Sequence, residues 1–175
     1  LEFRRVLFRS EMKRGRVSNF SVVNLKTEGS GAVHSIGNRF VVAMQDSESR
    51  LRVMVVDVTE NGSPVVVANN ATEGTIKDVS VARASRNRIV AAVRDSDDKL
   101  RLIVYHIRDN GRTIERKGTI VSKSIQQVEI SGEWDANRIS PRKRRVFTAA
   151  RDSNGKLFVA NWWVRENGNI QLLDS

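Results

Sequence analysis

Apolar residues recur along this chain in short alternating runs, each stopped by a pair of small polar residues. In Leu100–Ile107, Leu100, Leu102 and Val104 fall on one side of an extended chain, and Ile103, Tyr105 and Ile107 on the other. A strand with one face in water is apolar on that face alone, so this pattern predicts a strand covered on both faces. Runs rich in β-branched residues predict strands at Phe40–Gln45, Ile89–Arg94 and Val146–Arg151, and again at Leu51–Val58, Leu100–Ile107 and Leu157–Val164. Between the members of each pair stand Asp46-Ser47, Asp95-Ser96 and Asp152-Ser153, whose side chains can bond the backbone two residues on and so predict turns. Asn61-Gly62, Asn110-Gly111 and Asn167-Gly168 close the second runs and predict further hairpins. Shorter runs follow at Pro64–Ala68, Thr113–Lys117 and Ile170–Leu173, and others precede each pair at Ala32–Ile36, Ile76–Ala82 and Ile125–Ser131.

These elements form a repeat. Arg39–Gly62, Arg88–Gly111 and Arg145–Gly168 align without a gap over 24 positions, offset by 49 and 57 residues. The copies share Arg39/Arg88/Arg145, Ala43/Ala92/Ala149, the Asp-Ser pair, Leu51/Leu100/Leu157 and the Asn-Gly pair. A fixed period with several short strands per unit predicts an all-β array of four-stranded antiparallel meanders. Val79 lies nine residues before Arg88 and Val128 lies 17 before Arg145, so the third copy has a longer loop, Glu133–Arg144, after its first strand. In a meander this loop shares an edge with the Asn-Gly turns, and the Asp-Ser turns lie at the opposite edge. Asn24–Gly29 echoes Asn69–Gly74, and Phe20–Leu25 is accordingly expected to be the last strand of a preceding unit.

Composition changes this picture at two points. Residues 1–10, LEFRRVLFRS, are what the end of a widely used short-read sequencing adapter encodes, and are expected to be a translated artefact outside the fold. The chain carries a formal charge of +10, most of it outside those ten residues, and no cysteine, which rules out disulfides and cysteine-ligated metals. No apolar run approaches the ~18 residues that span a bilayer.

Candidate chemistry is sparse. Arg94 and Arg151 precede Asp-Ser turns, where a guanidinium could grip an anion in two-pronged fashion, or simply end a strand in solvent. Asp95-Ser96-Asp97-Asp98 lacks the alternating ligands and distal Glu of a calcium loop and is read as a turn. The tryptophans Trp134, Trp162 and Trp163 all lie in the third copy. Trp162 and Trp163 are neighbours on a strand and point to opposite faces, so at least one packs in the core. Trp134, in the long loop, is the better platform for a sugar or a base. Arg138, Arg142, Lys143, Arg144 and Arg145 form a basic cluster suited to an anionic polymer, or to solvent. His34 and His106 have no partner at metal-ligand spacing, and no nucleophile elbow or phosphate loop occurs. No catalytic residue, metal or cofactor is expected.

The motif R-[IFV]-V-x-A-x-x-D-S-x-x-x-L-x-V…N-G, as in Arg88–Gly111, resembles a blade of a β-propeller repeat protein. The resemblance covers about residues 17–173 and implies blades at about 30–74, 75–124 and 125–175, with 17–29 the outer strand of an earlier blade. WD, sialidase and kelch signatures are absent, and the lightly decorated blades look most similar to bacterial lectin-like and other extracellular propellers. That likeness implies a non-enzymatic module binding a glycan or a protein. The alternatives are a piece of a propeller hydrolase, lactonase or lyase whose catalytic residues lie in other blades, and a polyanion binder acting through the 138–145 loop. Three blades do not close a ring, so the partners implied include further blades of the same protein or copies of this chain.

Overall fold

The computed structural model describes residues 20–24, 38–85, 87–133 and 144–175. Ten strands lie in chain order, each antiparallel to the next: β1 (Phe20–Asn24), β2 (Asn38–Gln45), β3 (Arg50–Val58), β4 (Pro64–Ser85), β5 (Arg88–Asp95), β6 (Lys99–Arg108), β7 (Thr113–Glu133), β8 (Arg145–Asp152), β9 (Leu157–Val164) and β10 (Ile170–Asp174). The described residues contain no α-helix, and the sheet order is open at both ends. The all-β, antiparallel reading therefore holds.

Strands β4 and β7 are the long ones, and each serves two sets of partners. Residues 64–75 of β4 pair with β3, and residues 76–85 pair with β5. Residues 113–124 of β7 pair with β6, and residues 125–133 with β8. The pairing thus divides into three four-stranded groups. The first is β1, β2, β3 and the start of β4. The second runs from the end of β4 through β5 and β6 to the start of β7, and the third from the end of β7 through β8 and β9 to β10. The sequence pattern gives two separate runs, Pro64–Ala68 and Ile76–Ala82, yet β4 is continuous through both. The ladder skips there, between Arg50 and Arg52, and Gly74 takes φ +100°, where side chains are rarely tolerated.

The first strand of the first group differs from expectation. Ala32–Ile36 lies outside the described residues, and β1 holds the place beside β2. Ser21 faces Ala43 as Ser80 faces Ala92 and Glu129 faces Ala149. Phe20–Asn24 is therefore the first strand of its own group, not the last of an earlier one. The side chains explain the choice. Ser21 Oγ accepts a hydrogen bond from the Val81 N–H at 3.0 Å, and Ser80 Oγ accepts one from the Ile130 N–H at 3.2 Å. The first strands of successive groups run side by side, joined by the same contact. Asp78 adds another, accepting from the Val128 N–H at 3.0 Å.

The groups pack face to face. Val41, Ala43, Leu51, Val53 and Val55 of the first meet Ile76, Val79, Val81, Ile89, Ala91, Val93, Ile103, Tyr105 and Ile107 of the second. The other face of the second group, Val90, Ala92, Leu100, Leu102 and Val104, meets Ile125, Val128, Val146, Ala150, Ala160, Trp162 and Val164 of the third. Both faces of β6 are covered, as its two-sided apolar pattern requires. Small residues sit where groups approach most closely. A Cβ on Gly132 would run into the carbonyl of Arg83, and one on Gly118 into the carbonyl of Gly168.

The repeated Asp makes the turn. Asp46 Oδ1 accepts from the N–H groups of Glu48 and Arg50 at 3.0 and 2.8 Å. Asp95 does the same for Asp97 and Lys99 at 3.0 and 2.9 Å, and Asp152 for Asn154 and Lys156, both at 2.9 Å. The fourth turn residue is left-handed in every copy, with φ of +61° at Ser49, +60° at Asp98 and +78° at Gly155.

Candidate functional site

The Arg that opens the second strand of each group is the starting point. Arg39 grips Asp57 on the neighbouring strand with two hydrogen bonds of 2.6 Å. Its Nη1 then reaches across to the next group's Asn-Gly turn, donating to the Asn110 carbonyl and, at 3.0 Å, to Asn110 Oδ1. The hydrogen bond to Asp57 raises the Arg39 pKa further, against the pull of burial. This explains why the repeat keeps both Arg and Asn-Gly: the first clamps the second across the junction.

Arg88 repeats the reach but not the neutralisation. Its Nη2 donates to the Glu166 carbonyl, in the third group's turn, at 2.6 Å. The position of Asp57 is held here by His106, which pairs in register with Arg88. Arg88 Nε is consequently buried without a hydrogen-bond partner. Arg144, at the root of the long loop, converges on the same turn: its Nη2 lies 2.9 Å from Glu166 Oε1, while its Nη1 is buried and unbonded. Only 15% of the Arg144 side chain is exposed, against 77% of Glu166.

Further cations complete this corner. Arg108 lies 3.0 Å from Glu115, which also binds Lys117. Arg108 Nε lies 3.2 Å from His106 Nδ1, and the Asn87 side-chain nitrogen lies 2.6 Å from His106 Nε2. Arg108 and Lys117 thus hold the Glu115 carboxylate and Arg144 that of Glu166, while Arg88 bonds only the Glu166 backbone carbonyl. The imbalance shows in the titration of the groups. Burial, then the charges of Arg144 and Arg108, lower the Arg88 pKa, with Glu166 opposing. Burial, then Arg88, Arg108 and Lys117, lower that of His106, with Glu115 opposing. A corner that penalises its own positive charge is one that an anion would relieve.

At the opposite ends of the strands cations and carboxylates pair, although Arg94 Nε and Arg52 Nε are likewise buried without a hydrogen-bond partner. Arg94 Nε is 3.8 Å from Asp98, whose carboxylate also meets Lys77 at 2.8 Å. Asp95 is matched by Arg101 at 2.9 Å and Asp46 by Arg50 at 3.1 Å. Asp95 and Asp98 are thus occupied by backbone N–H groups and cations, as expected of a turn. Arg151 is exposed beside Gly155, at the end of β8 away from Arg144. Among the described residues no three His, Asp or Glu side chains come together to hold a metal ion, and no helix is long and apolar enough to cross a membrane.

Trp162 is a core residue: it is buried and donates from Nε1 to the buried Thr148 hydroxyl at 2.9 Å. Trp163 is half-buried under the Arg165 guanidinium, 4.9 Å from its ring. Trp134, Arg138, Arg142 and Lys143 lie outside the described residues. Of the residues singled out by pattern, only Arg144 belongs to the corner described above. The pattern marks Arg88 only as a repeat position and His106 only as lacking a metal-ligand partner, and it does not mark Arg108. Their signal was the loss of the Asp57 carboxylate at His106, opposite an Arg that all three copies keep. The sequence matches no protein-family model and no curated protein.

Proposed function

We propose that this chain is a section of a β-propeller that serves as a non-enzymatic binding module, and that its ligand is a glycan carrying sulfate or carboxylate groups. Three stacked four-stranded antiparallel groups, with their first strands side by side, support the propeller reading. The observation that carries the ligand class is the gathering of Arg88, Arg108, Lys117 and Arg144 around two carboxylates, with Arg88 and Arg144 converging on one turn. Guanidinium groups bind planar or tetrahedral oxyanions through paired N–H donors, and a buried one without a partner gains most from doing so. The site departs from the repeat: Arg39 has Asp57 where Arg88 has His106, so one junction is favoured over the other.

Binding of heparin, used as the probe, tests this by calorimetry at several salt concentrations. The affinity should fall as salt rises, because an ion-driven interaction releases counterions. Arg88→Ala combined with Arg144→Ala should weaken binding by about tenfold or more, on the scale of one lost charge-assisted contact each. Arg151→Ala, at the other edge, should change it by no more than about twofold. Equal binding by the double variant and the parent chain would discard the assignment.

A further inference from the structure

The two carboxylates in the cationic corner between the second and third groups are held very differently. Glu115 lies 3.0 Å from Arg108 and also binds Lys117, and its side chain is 38% exposed. Glu166 is bound by Arg144 Nη2 at 2.9 Å and is 77% exposed, although the guanidinium it touches is only 15% exposed. The turn that carries Glu166 is pinned separately. Its carbonyl accepts from Arg88 Nη2 at 2.6 Å, and the Gly168 N–H donates to the Arg165 carbonyl at 3.0 Å. The side chain can therefore leave Arg144 by rotating about its own bonds, with the backbone in place. The first junction is built otherwise. Arg39 is neutralised there by Asp57, on the adjacent strand of its own group and held by two bonds of 2.6 Å. At the repeat position of Glu166, Asp109 accepts from the Thr113 hydroxyl within its own turn, and Glu60 is exposed.

We infer that the Glu166 carboxylate is a built-in competitor for the anion subsite: it occupies Arg144 in the free chain and swings into solvent when a sulfate or carboxylate of the ligand takes its place. This rests on the anionic-glycan reading above and adds what regulates that site. A carboxylate and a ligand oxyanion ask for the same N–H donors of a guanidinium, so the two exclude each other at Arg144. Glu115 stays, because two cations hold it and less of it stands in solvent. Glu166 yields, because its side chain is mostly in water and recovers its hydration on leaving. The exchange breaks one ion pair and makes another. The ligand accordingly binds more weakly than it would to an empty Arg144, by the factor with which Glu166 holds that group. For a pair with one member in solvent this factor is about three- to fivefold.

Calorimetry of the full chain with heparin tests this. Glu166→Gln and Glu166→Ala should each bind heparin about three- to fivefold more tightly than the parent. Glu60→Gln removes the same charge from the same repeat position of the first group, and should change the affinity by less than about twofold. In the Arg144→Ala background the gain from Glu166→Gln should vanish, because the competitor has lost the group it occupies. A gain that persists in that background would come from net charge alone and overturns the inference. Unchanged or weaker binding by both Glu166 variants overturns it as well. Failure of the site itself has a different signature. A parent that binds no heparin, or one matched by the chain with Arg88→Ala and Arg144→Ala together, removes the site and the competitor with it. Binding that depends on those arginines but is indifferent to Glu166 removes the competitor alone.

Discussion

The carboxylate of Asp95 shows how much one side chain carries. It is 6% exposed and accepts two backbone N–H groups and the Arg101 guanidinium. Removing it leaves those donors without an acceptor inside the turn, at a cost of about 1–3 kcal/mol. Asp95→Ala should therefore lower the free energy of unfolding by that amount in urea titrations, and Asp95→Asn, which retains an acceptor oxygen, by distinctly less. Equal losses would mean that the charge, and not the pair of turn hydrogen bonds, is what the repeat preserves. The Asp was legible from sequence because a turn needs a short acceptor at its first position. The anion corner was legible only at Arg144. What makes Arg88 unusual is the identity of the residue on the adjacent strand, and strand register is not visible in a linear pattern.

Elements were legible where local pattern decides them. The strand pairs around each Asp-Ser turn emerged at nearly the predicted residues, with Leu100, Leu102 and Val104 on one packed face and Ile103, Tyr105 and Ile107 on the other. Two features escaped because they depend on neighbouring groups. The continuity of β4 and β7 follows from the chain leaving one group's last position for the next group's first, a path that needs no turn. The place of β1 was hidden by spacing: Ser21 lies 22 residues before Ala43, whereas Ser80 lies 12 before Ala92. The echo of Phe20-Ser21-Val22-Val23 in Val79-Ser80-Val81-Ala82 was the available clue. Close approach between first strands also yields a test at this scale. Gly132→Ala sets a methyl group against the Arg83 backbone, which cannot swing aside as a side chain would. The variant should lose about 1–3 kcal/mol, the usual cost of overpacking, measured by thermal or urea unfolding. An unchanged stability would show that β4 and β7 are free to separate at that point.

The three Asp turns act together on the whole molecule. Burial pushes the Asp46 carboxyl up, but the Arg50 and Glu48 N–H groups and the Arg50 guanidinium more than reverse it, so its pKa falls below the ordinary Asp value. Asp95 is lowered in the same way, burial being outweighed by Lys99, Arg101 and Asp97. At Asp152 the Lys156 N–H is the largest influence, followed by opposing burial and then by the Asn154 N–H and the charges of Lys123 and Lys156. The unfolded chain therefore binds more protons than the fold just below the ordinary Asp pKa of about 3.9. Stability contributed by these groups is whole above that value and is lost as pH falls through the lower folded-state values. Melting temperature should hold nearly steady from neutral pH to about 4 and then drop steeply. Asp95→Asn should shallow that drop, and a drop of equal steepness would exclude Asp95 as its source.

Because β4 and β7 each finish one group and begin the next, no cut through the chain separates the groups cleanly. A gene encoding such a path has no privileged seam. Recombination between two copies at matching points anywhere in the repeat, in a turn or in mid-strand, restores one whole period with its strand directions, its clamp and its apolar faces intact. The crossing strands thus let an array lengthen or shorten by full periods through ordinary unequal exchange, and leave the segments between them, such as the longer one between β7 and β8, free to diverge copy by copy.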